Sequence, residues 1–177
     1  MIDSYLRSAS DLDDHAVHLL FSANRWELAT TIEKLLTAGT TVICDRYAFS
    51  GIAFSASKVN SSGEPLIPFE WCRNPDVGLP APDLVLFFDI TPEKAKERGG
   101  YGEERYEKEE MQSRVRQSFH RIGEEMVEDQ KSGKGATKWI TIDAGRDIND
   151  VEKNVWMCVE PLVKVDIEGP VKKLWVP

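Results

Sequence analysis

The chain has 177 residues, of which 41% are hydrophobic and 29% charged, and this composition fits one globular domain with a substantial core. A formal net charge of −8 argues against nucleic acid or an anionic membrane as a partner, because either would favour a basic face. Its cysteines, Cys44, Cys72 and Cys158, have no C-x-x-C spacing, so we expect neither a disulfide framework nor a zinc site. No signal-like or membrane-spanning run is recognised, which predicts a cytoplasmic protein, with the nucleus as a second location.

Buried strands are predicted where short runs are rich in Val, Ile, Leu, Phe or Thr: 40–45, 83–90 and 138–143. Helical patterns lie between and around these runs: 12–36, a helix opened by Thr91-Pro92, 107–131 and 147–163. Gly39 is placed to end the first helix, and Trp139 and Trp156 are predicted to be core. Strands that alternate with helices predict an α/β fold with a mostly parallel sheet, in one domain over 1–177.

Polar residues follow each predicted strand at its carboxyl end, the edge where parallel sheets bind ligands: Asp45, Arg46, Asp89 and 143–146. The loop G-x-x-x-x-G-K-[ST], whose amides cradle phosphates, is not found. The Gly-Lys pair Gly133-Lys134 fails because Glu128 stands five residues before Gly133 and Gly135 follows the lysine. The first 12 residues show no opening strand either, so we expect a domain that begins inside its fold.

A first candidate site is formed by Phe21 and Arg25, which are four residues apart and therefore share one face of a helix. An aromatic ring can stack on a base while a guanidinium donates hydrogen bonds to an acceptor on the base edge. The alternative is a core phenylalanine beside an arginine in a surface ion pair. His15 and His18 share a helix with Asp14, but no further ligand lies nearby, so no metal site is predicted.

Two further segments have the composition of phosphate sites. Arg46 follows a predicted strand and could clamp a phosphate, with Asp45 orienting a hydroxyl or lying near magnesium; alternatively Asp45 caps the next helix and Arg46 pairs with an acid. The segment 98–107 has three glycines among arginines and acids, which is typical of a lid that closes over phosphates, or of a plain flexible loop.

Taken in chain order, these segments resemble the thymidylate kinase family in its eukaryotic form. The matching segments are 19–27 (LLFSANRWE), 45–55 (DRYxxSGxAFS), 71–72 (WC), 75–80 (PDVGLP), 82–86 (PDLVL), 98–107 (RGGYGxERYE) and 173–175 (KLW). The resemblance implies a three-layer, P-loop nucleoside monophosphate kinase-like sheet with helices on both faces. It also implies phosphoryl transfer from ATP to dTMP, with Mg²⁺ accompanying ATP, in a homodimer.

Residue roles come from the same resemblance. Phe21 would stack on thymine and Arg25 would bond its O4, while Arg46 would hold the monophosphate with Asp45 close to the transfer centre. Further roles would fall to the nucleoside pocket and to the ATP side: Ser50, Gly51, Phe54 and Tyr106 in the pocket; Arg98 and Arg105 in the lid; Ala144, Gly145 and Arg146 against adenine.

The family's opening strand, phosphate loop and second strand have no counterpart in these residues. We therefore expect a sheet without its first two strands and a chain that is inactive on its own. The alternatives are a non-catalytic dTMP-binding or dimerising family member, an incomplete gene product, or another nucleoside monophosphate kinase.

Overall fold

Two parallel strands and six α-helices make up the part of the chain that the computed structural model describes, which comprises residues 5, 11–98, 109–135, 137–164 and 169–176. The elements are α1 (Asp14–Thr37), α2 (Ala48–Ala56), α3 (Phe69–Arg73), β1 (Leu84–Asp89), α4 (Pro92–Glu97), α5 (Glu109–Lys131), β2 (Lys138–Asp143) and α6 (Ile148–Val163), with a 3₁₀ turn at Asn74–Asp76. Within these ranges no helix is both long and apolar enough to cross a membrane.

The sheet pairs β1 with β2 in parallel, in a register that runs from Leu84 opposite Lys138 to Asp89 opposite Asp143. A parallel pair needs a crossover, which α4 and α5 provide between the two strands. Both strands and all four helical patterns therefore confirm the sequence predictions. The register also places Asp89 and Asp143 side by side at the carboxyl edge.

The predicted strand at 40–45 is wrong. These residues have no secondary structure, and Ile43 is 91% exposed. The preceding helix does end as expected, at Gly39 with a φ of 76°. A strand is formed by pairing, and the sheet of the described residues offers this apolar run no neighbour.

The core lies between the sheet, α5 and α2. Phe87 stacks on Phe119 of α5 at 4.7 Å between ring centroids, and Trp139 meets Phe49 of α2 edge-on at 5.5 Å. At Gly123 a Cβ atom would lie 2.6 Å from the Trp139 indole nitrogen, so glycine lets α5 approach the sheet. Trp139 is core as predicted, and this packing fixes the position of α2.

Trp156 is not core, contrary to the prediction. It is 55% exposed, and α6 contains no buried residue among those described. The apolar stripe on α6 is real in the sequence, but the two-stranded sheet covers little of it.

One end of α1 is anchored by the buried imidazole of His18. Its Nε2 lies 2.9 Å from the Cys72 carbonyl oxygen and its Nδ1 2.8 Å from Ser55 Oγ. A carbonyl only accepts, so Nε2 carries the proton and Nδ1 accepts from the hydroxyl. Burial lowers the pKa of His18 from its ordinary value. The neutral ring therefore joins α1 to both α2 and α3.

Lowering the pH from about 7.5 to about 5 is expected to reduce the free energy of unfolding through His18. Because its pKa is lowered in the folded protein, the unfolded chain takes up the proton first as pH falls through 6.5. The stability contributed by neutral His18 is thus fully present above that value and declines below it. Denaturant unfolding of wild type and His18→Gln at both pH values checks this. An equally large decline in the variant contradicts it.

Candidate functional site

Three polar side chains on one face of α1 converge on the turn that follows α3. They are His18, Ser22 and Arg25, spaced at i, i+4 and i+7, which places them along one stripe of a helix. His18 binds the carbonyl of Cys72, and Ser22 and Arg25 bind Asp76. This stripe therefore fixes α1 to the segment 72–76.

Asp76 and Arg25 form a two-pronged ion pair. Arg25 donates from Nε to Asp76 Oδ1 at 3.1 Å and from Nη2 to Oδ2 at 2.6 Å. The Asp76 side chain is fully buried and that of Arg25 is 11% exposed. Ser22 Oγ also donates to Asp76 Oδ1, at 2.7 Å. The alternative placed Arg25 in an ion pair at the surface. The ion pair exists, but it is largely buried, so the predicted location is wrong.

Gly51 lies directly against this guanidinium. A Cβ atom added there would be 2.9 Å from Arg25 Nη2 and 3.1 Å from Nη1. Gly51 is in the middle of α2, so glycine is needed here for the close approach of the Arg25 guanidinium and not for backbone freedom. Ser50 next to it is half-buried. The sequence prediction that joined Arg25 and Gly51 in one site is consistent with this contact.

Phe21 lies one helical turn before Arg25 on α1 and is half-buried. It is absent from the buried core formed by the described residues. The alternative of a core phenylalanine is therefore not supported. A partly exposed ring four residues from a fixed guanidinium remains available to a planar ligand.

Asp45 and Arg46 occupy the bend just before α2. The backbone of Arg46 is in the left-handed region, with φ at 68°, which is uncommon for a residue other than glycine. Its guanidinium carbon lies 4.5 Å from the centre of the Phe54 ring. Tyr47 rather than Asp45 is the N-cap of α2, and no side chain caps it, so the capping alternative for Asp45 is wrong.

A second group of candidates meets at the carboxyl end of β2. Arg98 donates to the carbonyls of Ala144 and Arg146, and Lys94 Nζ donates to that of Gly145 at 3.2 Å. Asp143 accepts from Gly145 N at 2.9 Å, and this bond is the main cause of its lowered pKa. The loop at 144–146 is therefore held against α4.

A cavity of about 370 Å³ lies between the ends of the two strands. Its lining is polar and charged: Asp89, Thr91, Lys94, Arg116, Thr141 and Asp143. Arg116 donates to both carboxylate oxygens of Asp89, at 2.5 and 2.8 Å, and thereby lowers the pKa of Asp89. The sequence prediction of a polar edge is confirmed at Asp89 and Asp143. Lys94 and Arg116 were not predicted.

Except for Arg98, the predicted lid at 98–107 lies outside the described residues. The roles of Arg105 and Tyr106 therefore stay predictions. Arg98, at the start of the predicted lid, is described, and its contacts tie that start to the 144–146 loop.

Comparison with known proteins decides the family. The sequence pattern of the family described as "Thymidylate kinase" matches residues 1–155. The chain belongs to the thymidylate kinase family. It is 45% identical to the zebrafish (Danio rerio) thymidylate kinase and 40% identical to the human one, each over 175 residues, 99% of this chain and 76% of the relative. Identity to the Arabidopsis thaliana thymidylate kinase is 44%, over 99% of this chain and 60% of that protein.

A solved structure of thymidylate kinase from Candida albicans shares the fold. It superposes with a TM-score of 0.75 at 33% identity, over 97% of this chain and 78% of that one. The predicted fold class, a parallel α/β sheet of the P-loop nucleoside monophosphate kinase type, is thereby confirmed. The resemblance stated from the sequence segments is confirmed as well.

Besides Lys94 and Arg116, the sequence did not indicate the partners of Arg25 as residues of the candidate site. Asp76 was noted only as part of a matching segment, and Ser22 only as a letter within another. The available signal was helical spacing, since Ser22 and Arg25 are three residues apart on the same face as His18. Nothing local pointed to Asp76, which is 51 residues further along the chain than Arg25.

Proposed function

We propose that this chain provides the dTMP side of a thymidylate kinase: it binds dTMP between α1 and α2, and dTMP accepts the terminal phosphoryl group of ATP to give dTDP and ADP. The observation that carries the proposal is the largely buried guanidinium of Arg25, which is held by Asp76, lies against Gly51 and follows a half-buried aromatic ring by one helical turn. Family membership supports the reaction, and the contacts of Arg25 support the choice of base.

Recognition of the base depends on the N–H groups of Arg25 that its ion pair with Asp76 does not use. Asp76 engages the N–H of Nε and one N–H of Nη2, which leaves both N–H groups of Nη1 and the second N–H of Nη2. Thymine presents its O4 carbonyl as an acceptor, whereas cytosine presents an amino group at the same place. A guanidinium has no acceptor, so cytosine meets donor against donor. Phe21 would supply the stacking surface.

The phosphate of dTMP would bind Arg46. Its left-handed backbone directs the side chain from the bend before α2, and its guanidinium lies over Phe54, which leaves the N–H groups at the edge of the plane available to phosphate oxygens. Asp45 beside it would be close to the transferred group. Ser50 and Phe54 on the same helix would line the pocket.

The ATP side would lie at the ends of β1 and β2. The loop formed by Ala144, Gly145 and Arg146 would contact adenine, and Arg98 would start the lid whose remaining members include Arg105 and Tyr106. Mg²⁺ binds oxygen ligands and commonly takes only one or two carboxylates beside phosphates and water. The exposed Asp45 carboxylate fits such a role. Bound Mg²⁺ would neutralise phosphate charge; the residues of this chain would position the acceptor.

Arg46→Gly is expected to weaken dTMP binding while leaving thymidine binding nearly unchanged. Loss of a charged hydrogen-bond partner costs about 1.5–3 kcal/mol, which is roughly 10- to 150-fold in the dissociation constant of the phosphorylated ligand alone. Glycine accepts a φ of 68° without strain, so thermal stability should hold or rise. Calorimetric titration with both ligands, beside a thermal melt, checks this. Equal weakening for dTMP and thymidine contradicts a phosphate role.

The proposed choice of dTMP as the acceptor is tested by titrating the chain with dTMP and with dCMP. We expect dTMP to bind at least about tenfold more tightly, as one donor–acceptor mismatch implies. Equal affinities, or no binding of dTMP, contradict the proposed function. Arg25→Leu removes the donors but leaves Asp76 as a buried charge, so Arg25→Leu combined with Asp76→Leu is the sounder test of the same point.

A dTMP-binding protein without catalysis is the second candidate function. It is favoured by one observation: the 177 residues contain no G-x-x-x-x-G-K-[ST] loop. Both candidates predict the same nucleotide preference. An assay of ADP formation separates them when a family-type segment carrying that loop precedes residue 1, because only the kinase candidate then predicts turnover. A homodimeric state and a cytoplasmic location stay predictions.

A further inference from the structure

We propose that Asp76 is a positioning residue that sets the choice of base, because it fixes the guanidinium of Arg25 in the one orientation that requires an acceptor on the ligand. This inference rests on the proposed function, in which Arg25 contacts the base. Asp76 itself would touch neither base nor phosphate.

The geometry restricts Arg25 from two sides. Asp76 binds the Nε–Nη2 edge through both carboxylate oxygens, so the plane of the guanidinium cannot rotate without breaking two charged hydrogen bonds. Gly51 lies against Nη2 and Nη1, where even one added carbon would come within 2.9 Å. An arginine on a free side chain could swing away from an amino group on the ligand. This one is prevented from doing so.

Asp76 is in turn held in place by α1. Ser22 Oγ lies 2.7 Å from Asp76 Oδ1 and 3.0 Å from the Pro75 carbonyl oxygen, and Trp26 Nε1 donates to the same carbonyl at 2.7 Å. Gly78, with φ at 94°, continues the turn under the Trp26 ring. The carboxylate is therefore held in one position, and its two hydrogen bonds fix the guanidinium in one orientation.

Burial makes the pair mutually dependent. The Asp76 carboxylate is fully buried, and an unpaired charge there would be strongly unfavourable. A buried ion pair is weak evidence for stability in itself, since apolar groups of similar volume often serve as well. A role in orientation accounts for why the pair is ionic, two-pronged and placed beside the half-buried Phe21.

The experiment compares the dTMP-to-dCMP affinity ratio of wild type with those of Asp76→Asn, Ser22→Ala and the double variant Arg25→Leu/Asp76→Leu, by calorimetric titration beside thermal melts. Glu160→Gln is the matched control, because it breaks an ion pair with Lys164 at the end of α6, outside the elements that hold Arg25. In Asp76→Asn the ratio is expected to fall about tenfold, since one charged bond to Arg25 is lost, and in Ser22→Ala by about threefold. Glu160→Gln should leave the ratio unchanged and the melting temperature nearly so, because an exposed ion pair contributes little to stability.

The outcomes separate the two proposals. If wild type shows no preference for dTMP, the proposed function is wrong and this inference falls with it. If the double variant Arg25→Leu/Asp76→Leu abolishes the preference while Asp76→Asn retains it, the proposed function stands and Asp76 serves stability alone. If Asp76→Asn fails to fold, Ser22→Ala decides: an unchanged ratio overturns the positioning role, and a reduced ratio without loss of fold supports it.

Discussion

Phe21→Ala is expected to raise the dissociation constant for dTMP by roughly one to two orders of magnitude, because stacking of a base on an aromatic ring contributes about 1–3 kcal/mol. The ring is half-buried on α1 and lies outside the core of the described residues, so its removal should reduce stability less than removal of a core ring. Calorimetric titration with dTMP and with thymidine measures the effect. Both ligands should weaken together, since both carry the same base.

The control for Phe21 is Phe119→Ala on α5. Phe119 stacks on Phe87 against the core, and large core truncations cost about 3–5 kcal/mol of stability. That variant should have a lower melting temperature, while its folded fraction binds dTMP with the affinity of wild type. The opposite pattern, in which Phe21→Ala unfolds the chain and its folded fraction binds as wild type does, contradicts the stacking role.

A chain of these 177 residues and no others is expected to show no ADP formation with dTMP, ATP and magnesium. Phosphoryl transfer depends on positioning and charge stabilisation, and a single transition-state arginine can be worth about 10³–10⁵ in rate. These residues contain no amide cradle with its lysine and no Ser/Thr ligand for magnesium of the G-x-x-x-x-G-K-[ST] kind. Arg46 and Arg98 supply charge but not that cradle. The loss should therefore exceed about 10³ relative to typical kinases.

A coupled assay of ADP formation measures this, beside a second chain in which a family-type segment carrying the loop precedes residue 1. Turnover only in the extended chain is the expected result. Turnover on the order of 1 s⁻¹ or more by the 177 residues alone contradicts it, because that is already in the range of ordinary kinases. The titration with dTMP shows separately whether the acceptor pocket is intact in both chains.

Local patterns predicted most of the fold. The run at 138–143 became β2 with the same bounds, and Thr91-Pro92 became the N-cap and first residue of α4. The run at 40–45 has an equally strand-like composition but no partner strand in the part of the chain that the structure describes, and pairing is not a local property. Trp156 fits an apolar helical stripe, yet whether a stripe is buried depends on what the sheet covers.

The candidate site was likewise predicted only in part from the sequence. Phe21, Arg25 and Gly51 were predicted from segments that resemble a family, and the contact between Arg25 and Gly51 unites two of those segments. Asp76 could not be predicted as the partner of Arg25, because the contact joins residues 51 positions apart through the packing of α1 on the turn after α3. Sequence indicated which residues have useful chemistry. The fold determines which of them are held rigid.

A crystal structure of the chain with dTMP shows directly whether the Arg25 guanidinium, fixed by Asp76, recognises the base. We expect thymine to stack on Phe21, with its O4 within about 3 Å of Arg25 Nη1 and the phosphate at Arg46, while Arg25 keeps both hydrogen bonds to Asp76. A nucleotide bound elsewhere, or bound here with Arg25 released from Asp76, contradicts this role of the pair.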